Sequence, residues 1–296
     1  MRWFGKRSRD GDDLPLDDPA APKLPDAARF APARGRIYRI VRTIGDSDPR
    51  TGKRVYRSGV GVSDLSEAQA EMEAHEQARR ALADALAGQE TARAGYAYHA
   101  DKRLEPYVES VRGAAGEAAR VTVNGYGSLV MNANAAMFVD VDTGDEINEP
   151  REPIVPESLS DLVGRRADLG FRAYRTLAGW RYLCTSAEFD PASDEVQMLL
   201  SELGSDEKYI LLCRIQKTFR ARLTPKPWRA KERPLSVGAD GVERAKLQRV
   251  IDRTWKYATA RYITSLGSSV VASQIQPVVD YHDLWTQAAQ VKKPLA

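Results

Sequence analysis

The sequence predicts an α+β protein. Its core is a ferredoxin-like, RRM-like split antiparallel sheet, with an N-terminal β-hairpin-helix module before it and a helical C-terminal cap after it. Three observations carry this. Apolar and polar residues alternate almost unbroken from Met131 to Asp142, the period of a strand with two distinct faces. A second alternating stretch, FRAYRTLAGWRYLCTS, folds back at Ala178-Gly179 as a hairpin. From Met137 onward the order is strand, weak helix, strand, strand, helix, strand, which is that of the split βαββαβ unit.

The chain has 296 residues, 43% of them hydrophobic, enough for one large or two modest domains. A net charge of +3 is too small to argue for nucleic-acid binding by itself, so the distribution of charge decides. Two cysteines and three histidines exclude a disulfide framework and a Cys/His zinc site. Cys184 and Cys213 lie in apolar runs, YLCTS and ILLCRI, and read as small buried hydrophobes. No apolar run reaches the length of a membrane span and no signal-peptide core follows MRWFGKRSR, so a cytoplasmic protein with no membrane partner is expected.

Taken in order, residues 1–33 are rich in Pro, Asp, Ala and Lys without periodicity and read as a disordered leader. Residues 34–120 form the hairpin-helix module. GRIYRIVRTIG and GKRVYRSGVGV pair around the turn signal DSDPRTG. Ser66 and Gln69 then form a capping box that opens an Ala-rich helix closed by Gly88. Its inward face is expected to hold Ala68, Met72, His75, Leu82 and Leu86. LEPYVESV reads as a further short helix.

Residues 121–236 are the core. ESLSDLVGRRADL is weakly helical, and Ser193 caps a helix of Val196, Leu199, Leu200 and Leu203 that stops at Gly204. YILLCRI is helix or strand, and RARLT is a strand. In the cap, 237–296, helical spacing runs through Leu247, Val250, Ile251, Ala258 and Tyr262, and a last helix covers IQPVVDYHDLWTQAAQ.

The Met131–Asp142 alternation places Asp140 and Asp142 on one strand face, their α-carbons roughly 6–7 Å apart. Two carboxylates so placed suit a pair of Mg²⁺ or Mn²⁺ ions, with Asp145 as a possible third ligand. The bland alternative is a polar strand end. The hairpin would bring Arg175, Thr176 and Arg181 beside them to meet polyphosphate, or else form an exposed, charge-paired sheet face. The densest charge feature is Arg214–Arg233, with eight basic residues and one acidic. In it Arg220 and Arg222 share a strand face. Pro225 and Pro227 are expected to hold Lys226 and Trp228 extended, with Arg229 following. Such a surface would bind triphosphate, or track a nucleic-acid backbone while Trp228 stacks on a base. Asp140–Asp161 holds eight acidic residues and one basic, so the two patches also suit each other structurally. His282, between Asp280 and Asp283, reads as a helix-surface residue. No P-loop, G-x-S-x-G elbow or dinucleotide fingerprint is present.

FVDVD on the first strand of a split sheet, followed by a Gly-turned hairpin, resembles the archaeo-eukaryotic primase (primase-polymerase) superfamily over roughly Val121–Arg229. The resemblance implies that Asp140 and Asp142 bind metal for nucleotidyl transfer. The chain departs from the family in carrying Gly179-Trp180-Arg181 where a small residue and a histidine would stand. Arg181, with its planar fork, is read as a phosphate-gripping substitute, and Asp280 and Asp283 as candidates for the later acidic residue. Three functions are therefore expected, in this order. The first is metal-dependent nucleotidyl or phosphoryl transfer on a nucleoside triphosphate. The second is a non-catalytic module that binds nucleic acid or an acidic partner through residues 214–233. The third is a structural or regulatory protein.

Overall fold

The computed structural model describes residues 20–33, 37–88, 105–143, 155–238 and 240–296. The N-terminal part comprises β1 (Arg29–Phe30), β2 (Tyr38–Ser47), β3 (Arg54–Ser63) and α1 (Glu67–Leu86). Next come β4 (Tyr107–Gly113), β5 (Gly116–Val123), β6 (Leu129–Ala133), β7 (Phe138–Asp142) and α2 (Glu157–Arg165). They are followed by β8 (Gly170–Thr176), β9 (Gly179–Cys184), α3 (Asp194–Glu202), α4 (Glu207–Gln216) and β10 (Phe219–Arg222). The chain finishes with β11 (Val242–Glu243), α5 (Arg244–Thr254), β12 (Arg261–Gly267) and α6 (Gln276–Thr286). The class is α+β, with antiparallel sheets, as the sequence predicts.

Two four-stranded sheets dominate, ordered β10-β6-β5-β4 and β12-β8-β9-β7. In the second, β7, β9 and β8 lie in the order expected of a split unit. The strand expected to close that unit, β10, pairs instead with β6, from Phe219↔Ala133 to Arg222↔Val130. The free edge of β7 finds other partners. Ser205 Oγ donates to the Asp140 carbonyl at 2.9 Å and the Tyr209 hydroxyl donates to the Phe138 carbonyl at 3.0 Å. The approach to α4 thus takes hydrogen bonds that a fourth strand would have made.

The long alternation from Met131 to Asp142 is two strands. The chain bends over residues 134–136 and changes partner, from β5 on one side to β9 on the other. β6 is buried throughout and β7 at Phe138 and Val139, so the apolar period continues across the break. In LEPYVESV the described residues, 105–111, are not helical. Val108 and Val111, three apart, both face inward because register shifts interrupt the β4–β5 ladder near each of them. Arg261–Gly267 is likewise a strand, paired with β8 through a bulge at Tyr262/Thr264, where Tyr262, Ile263 and Thr264 suit a pleated surface.

The hairpin-helix module forms as expected, with a rotated helix face. Ser66 accepts the Gln69 amide at 3.2 Å, while the Gln69 side chain turns to Ser63 rather than completing a capping box. Ala70, Ala74, Ala78 and Leu82 are buried, and Met72 and His75 are exposed. The cause is close approach: a Cβ on Gly61 would lie 1.7 Å from the Ala70 carbonyl oxygen, so only small residues fit between β3 and α1.

Residues 20–33, read above as part of a disordered leader, are folded onto α5. Leu24 and Phe30 are buried, the Leu24 amide donates to Gln248 Oε1 at 2.8 Å, and β1 pairs with β11. Single apolar anchors in a proline-rich stretch have no periodicity to reveal them. Residues 1–19 lie outside the described residues.

Candidate functional site

Asp140 and Asp142 share a face of β7 and stand opposite Arg181 and Gly179 of β9. Gly179 lets the strands close here: a Cβ would lie 1.8 Å from the Val141 carbonyl oxygen. Arg181 is the largest fully buried side chain, 1% exposed. Its Nε donates to Asp140 Oδ1 at 2.7 Å and its Nη2 to Oδ2 at 3.0 Å, a bidentate fork. Nη1 donates to the Arg222 carbonyl at 2.9 Å and also faces His282 Nε2 at 3.4 Å. Every guanidinium nitrogen therefore has a partner. Burial alone would depress this arginine's basicity; Asp140 reverses that and keeps it charged.

His282 corrects the surface reading. It is fully buried, tilted against Phe138 and edge-on to Tyr174, and burial followed by the Arg181 charge holds it below the usual histidine range. It is neutral. Its Nδ1–H then donates to Asp283 Oδ1 at 3.1 Å, and Nε2 accepts from Arg181. Asp283 Oδ2 accepts from Arg172 Nη2 at 2.5 Å, and Arg172 lies 4.2 Å over the Tyr262 ring. A polar chain thus runs from β12 to Asp140. The signal was in the sequence: Val278, His282 and Trp285 are spaced by four and three, which puts the histidine on the buried side of α6.

The basic segment meets the acidic strand at one point. Lys226 lies within electrostatic reach of Arg222 and Arg229 and of Asp142 and Asp140. The segment after β10 is a tight turn rather than extended. Pro227 fixes the second turn position, and the Arg229 amide donates to the Lys226 carbonyl at 2.9 Å. Ser128 Oγ, donating to the Pro225 carbonyl at 2.8 Å, and Leu129 N, donating to Thr224 Oγ1 at 2.9 Å, fasten the turn to β6. Burial first, then Arg222 and Arg229, push the Lys226 ammonium down to about 8, against the opposing pull of Asp142 and Asp140. Arg222 Nε is buried with no acceptor. Trp228 is 49% exposed, edge-on to Tyr126 at 5.0 Å, with Lys226 Nζ 5.8 Å from its ring.

Other candidates lie elsewhere. Arg175 sits opposite Trp180, on the other face of the sheet from Asp140, where it donates to the Gly179 carbonyl at 2.6 Å. Arg220 is 12% exposed and paired with Glu105 at 2.8 Å, away from the acidic strand. Arg181 stands beneath Asp140, out of a ligand's reach. Asp280 accepts from Gln276 at 2.7 Å, Asp283 is bound into the His282–Arg172 chain, and Asp145 lies outside the described residues.

The acidic pair does not fit a divalent cation well. Both Asp140 oxygens accept from Arg181, and among the described residues no cluster of three or more His, Cys, Asp or Glu forms a metal site. Among the described residues, Arg181 pairs with Asp140, and Arg222 and Arg229 as well as Asp140 and Asp142 act on Lys226.

Fold and site together define an α+β protein with two four-stranded and two two-stranded antiparallel sheets among the described residues, and an arginine-clamped carboxylate near a cationic, tryptophan-bearing turn. The chain matches no protein-family model, no curated protein and no solved structure. Among the described residues no helix is long and apolar enough to cross a membrane.

Proposed function

We propose that the face formed by Arg222, Lys226, Trp228 and Arg229 binds the phosphates of a single-stranded nucleic acid. One observation carries the reading: the half-buried Lys226 lies close to Arg222 and Arg229, with its Nζ 5.8 Å from the exposed Trp228 ring, so cations and a stacking surface meet on one turn. An ammonium that burial and two arginines disfavour is relieved by a bound anion. Trp228, braced by Tyr126, supplies the stacking surface that a base needs, and stacking of this kind contributes about 1–3 kcal/mol per base.

The test is fluorescence anisotropy with a labelled single-stranded oligonucleotide across a salt series. Binding should weaken as salt rises. Arg222→Ala and Lys226→Ala should each lower the log–log slope by about 0.7, and Trp228→Ala should cost roughly tenfold or more in affinity at little change of slope. Unchanged affinity in all three variants sinks the proposal.

Metal-dependent nucleotidyl or phosphoryl transfer, as implied by the primase-polymerase resemblance, is the competing reading. What supports it is the shared face of Asp140 and Asp142, with the Asp140 side chain still 36% exposed. It requires Mg²⁺ or Mn²⁺ to raise the affinity for a nucleoside triphosphate, measured in the same assay by competition.

A further inference from the structure

We infer that Asp140 is the counter-ion of the buried Arg181 and not a metal ligand, so that the neighbouring cationic face takes phosphate directly, without a divalent cation. The second half of this rests on the phosphate-binding reading above; the first half stands independently of it.

Arg181 is a charged group with 2% side-chain exposure, and Asp140 is the carboxylate paired with it. A buried cation is tolerated only if it is paired and its donors are satisfied. Here the fork takes both Asp140 oxygens, the Arg222 carbonyl takes Nη1, and neutral His282 closes the remaining side. A divalent ion drawing on Asp140 would compete with that fork for the same oxygens. It would also sit beside Arg181 and within reach of Lys226, whose charges repel it. The backbone adds to the constraint: the Asp140 carbonyl accepts from Ser205 Oγ at 2.9 Å, so the strand cannot swing to present the carboxylate elsewhere without losing that bond.

Carboxylates held for metal binding and for pairing respond oppositely to neutralisation. Removing one of two adjacent, unpaired carboxylates relieves repulsion. Removing the partner of a buried arginine strands a charge. Asp140→Asn should therefore lower the melting temperature by roughly 5 °C. The double variant Asp140→Asn/Arg181→Met should recover part of the loss. Mn²⁺ titration of the wild-type chain, followed by electron paramagnetic resonance, needs no variant to fold; it should show no stoichiometric binding at sub-millimolar Mn²⁺. Oligonucleotide affinity should agree within twofold in EDTA and in Mg²⁺ at matched ionic strength. Stoichiometric Mn²⁺ binding lost on neutralising either aspartate overturns the inference, as does a melting temperature that rises in Asp140→Asn. If the oligonucleotide does not bind under any condition, the phosphate reading fails, while the Mn²⁺ and stability results still decide the role of Asp140.

Discussion

Lys226 is placed between opposing demands, and its titration exposes them. Its ammonium is pushed down to about 8, so in the free protein it is charged at pH 7 and largely neutral at pH 9.5. A phosphate binds the charged form better. Affinity should be full below about pH 8 and fall by roughly tenfold as pH rises from 7 to 9.5, each unit of pKa restored by the ligand being worth about tenfold. The folded-state value lies below the 10.5 of a free lysine, so the charged form is the one the fold disfavours. The destabilisation is complete below about pH 8 and is relieved as pH climbs toward 10.5, the reverse of the affinity trend. Lys226→Arg, charged throughout, should flatten both. Calorimetric titration in buffers of different ionisation enthalpy should also register proton uptake on binding near pH 8.

Among the elements, the hairpin β8–β9 and its contact with β7 set the site. Gly179→Ala would place a methyl 1.8 Å from the Val141 carbonyl oxygen, a backbone atom that has no rotamer to move. The Asp142↔Gly179 pair should open, at a cost of about 2–3 kcal/mol in chemical denaturation and with weaker oligonucleotide binding, while the α1 module keeps its helicity. The same elements show what a single sequence makes legible. Strands β2, β3, β7, β8 and β9 and helices α1, α3 and α6 follow from local period and turn chemistry. β4, β12 and the partner of β10 do not. Val108 and Val111 share a face only because bulges shift the register, and β10 pairs with β6, more than eighty residues upstream. The shared face of Asp140 and Asp142 was legible for the same reason that β7 was. The clamp on Asp140 was not, since it needs Arg181 from β9, a carbonyl from β10 and His282 from α6 in one place.

At the scale of the whole molecule, α6 is the element that ties the two sheets together. The Tyr281 hydroxyl donates to Glu109 of β4, in the first sheet, at 2.7 Å, and the next residue, His282, reaches Arg181 of β9, in the second. Trp285 holds the helix in place. It is 3% exposed, edge-on to Trp255 at 6.1 Å and stacked on Tyr281 at 6.0 Å. Removing the indole should cost about 3–5 kcal/mol, the usual range for a large aromatic cavity. The loss should not stay local. If α6 loosens, His282 withdraws from Arg181 and the Tyr281–Glu109 bond lengthens, so Trp285→Ala should weaken oligonucleotide binding at a surface that Trp285 does not line. Tyr281→Phe, which deletes one hydrogen bond and keeps the packing, should cost only about 1 kcal/mol and leave that affinity intact. Urea denaturation followed in parallel with anisotropy separates the outcomes. A Trp285→Ala protein that loses stability but binds with wild-type affinity would mean that α6 braces the sheets without positioning the Arg181–Asp140 pair.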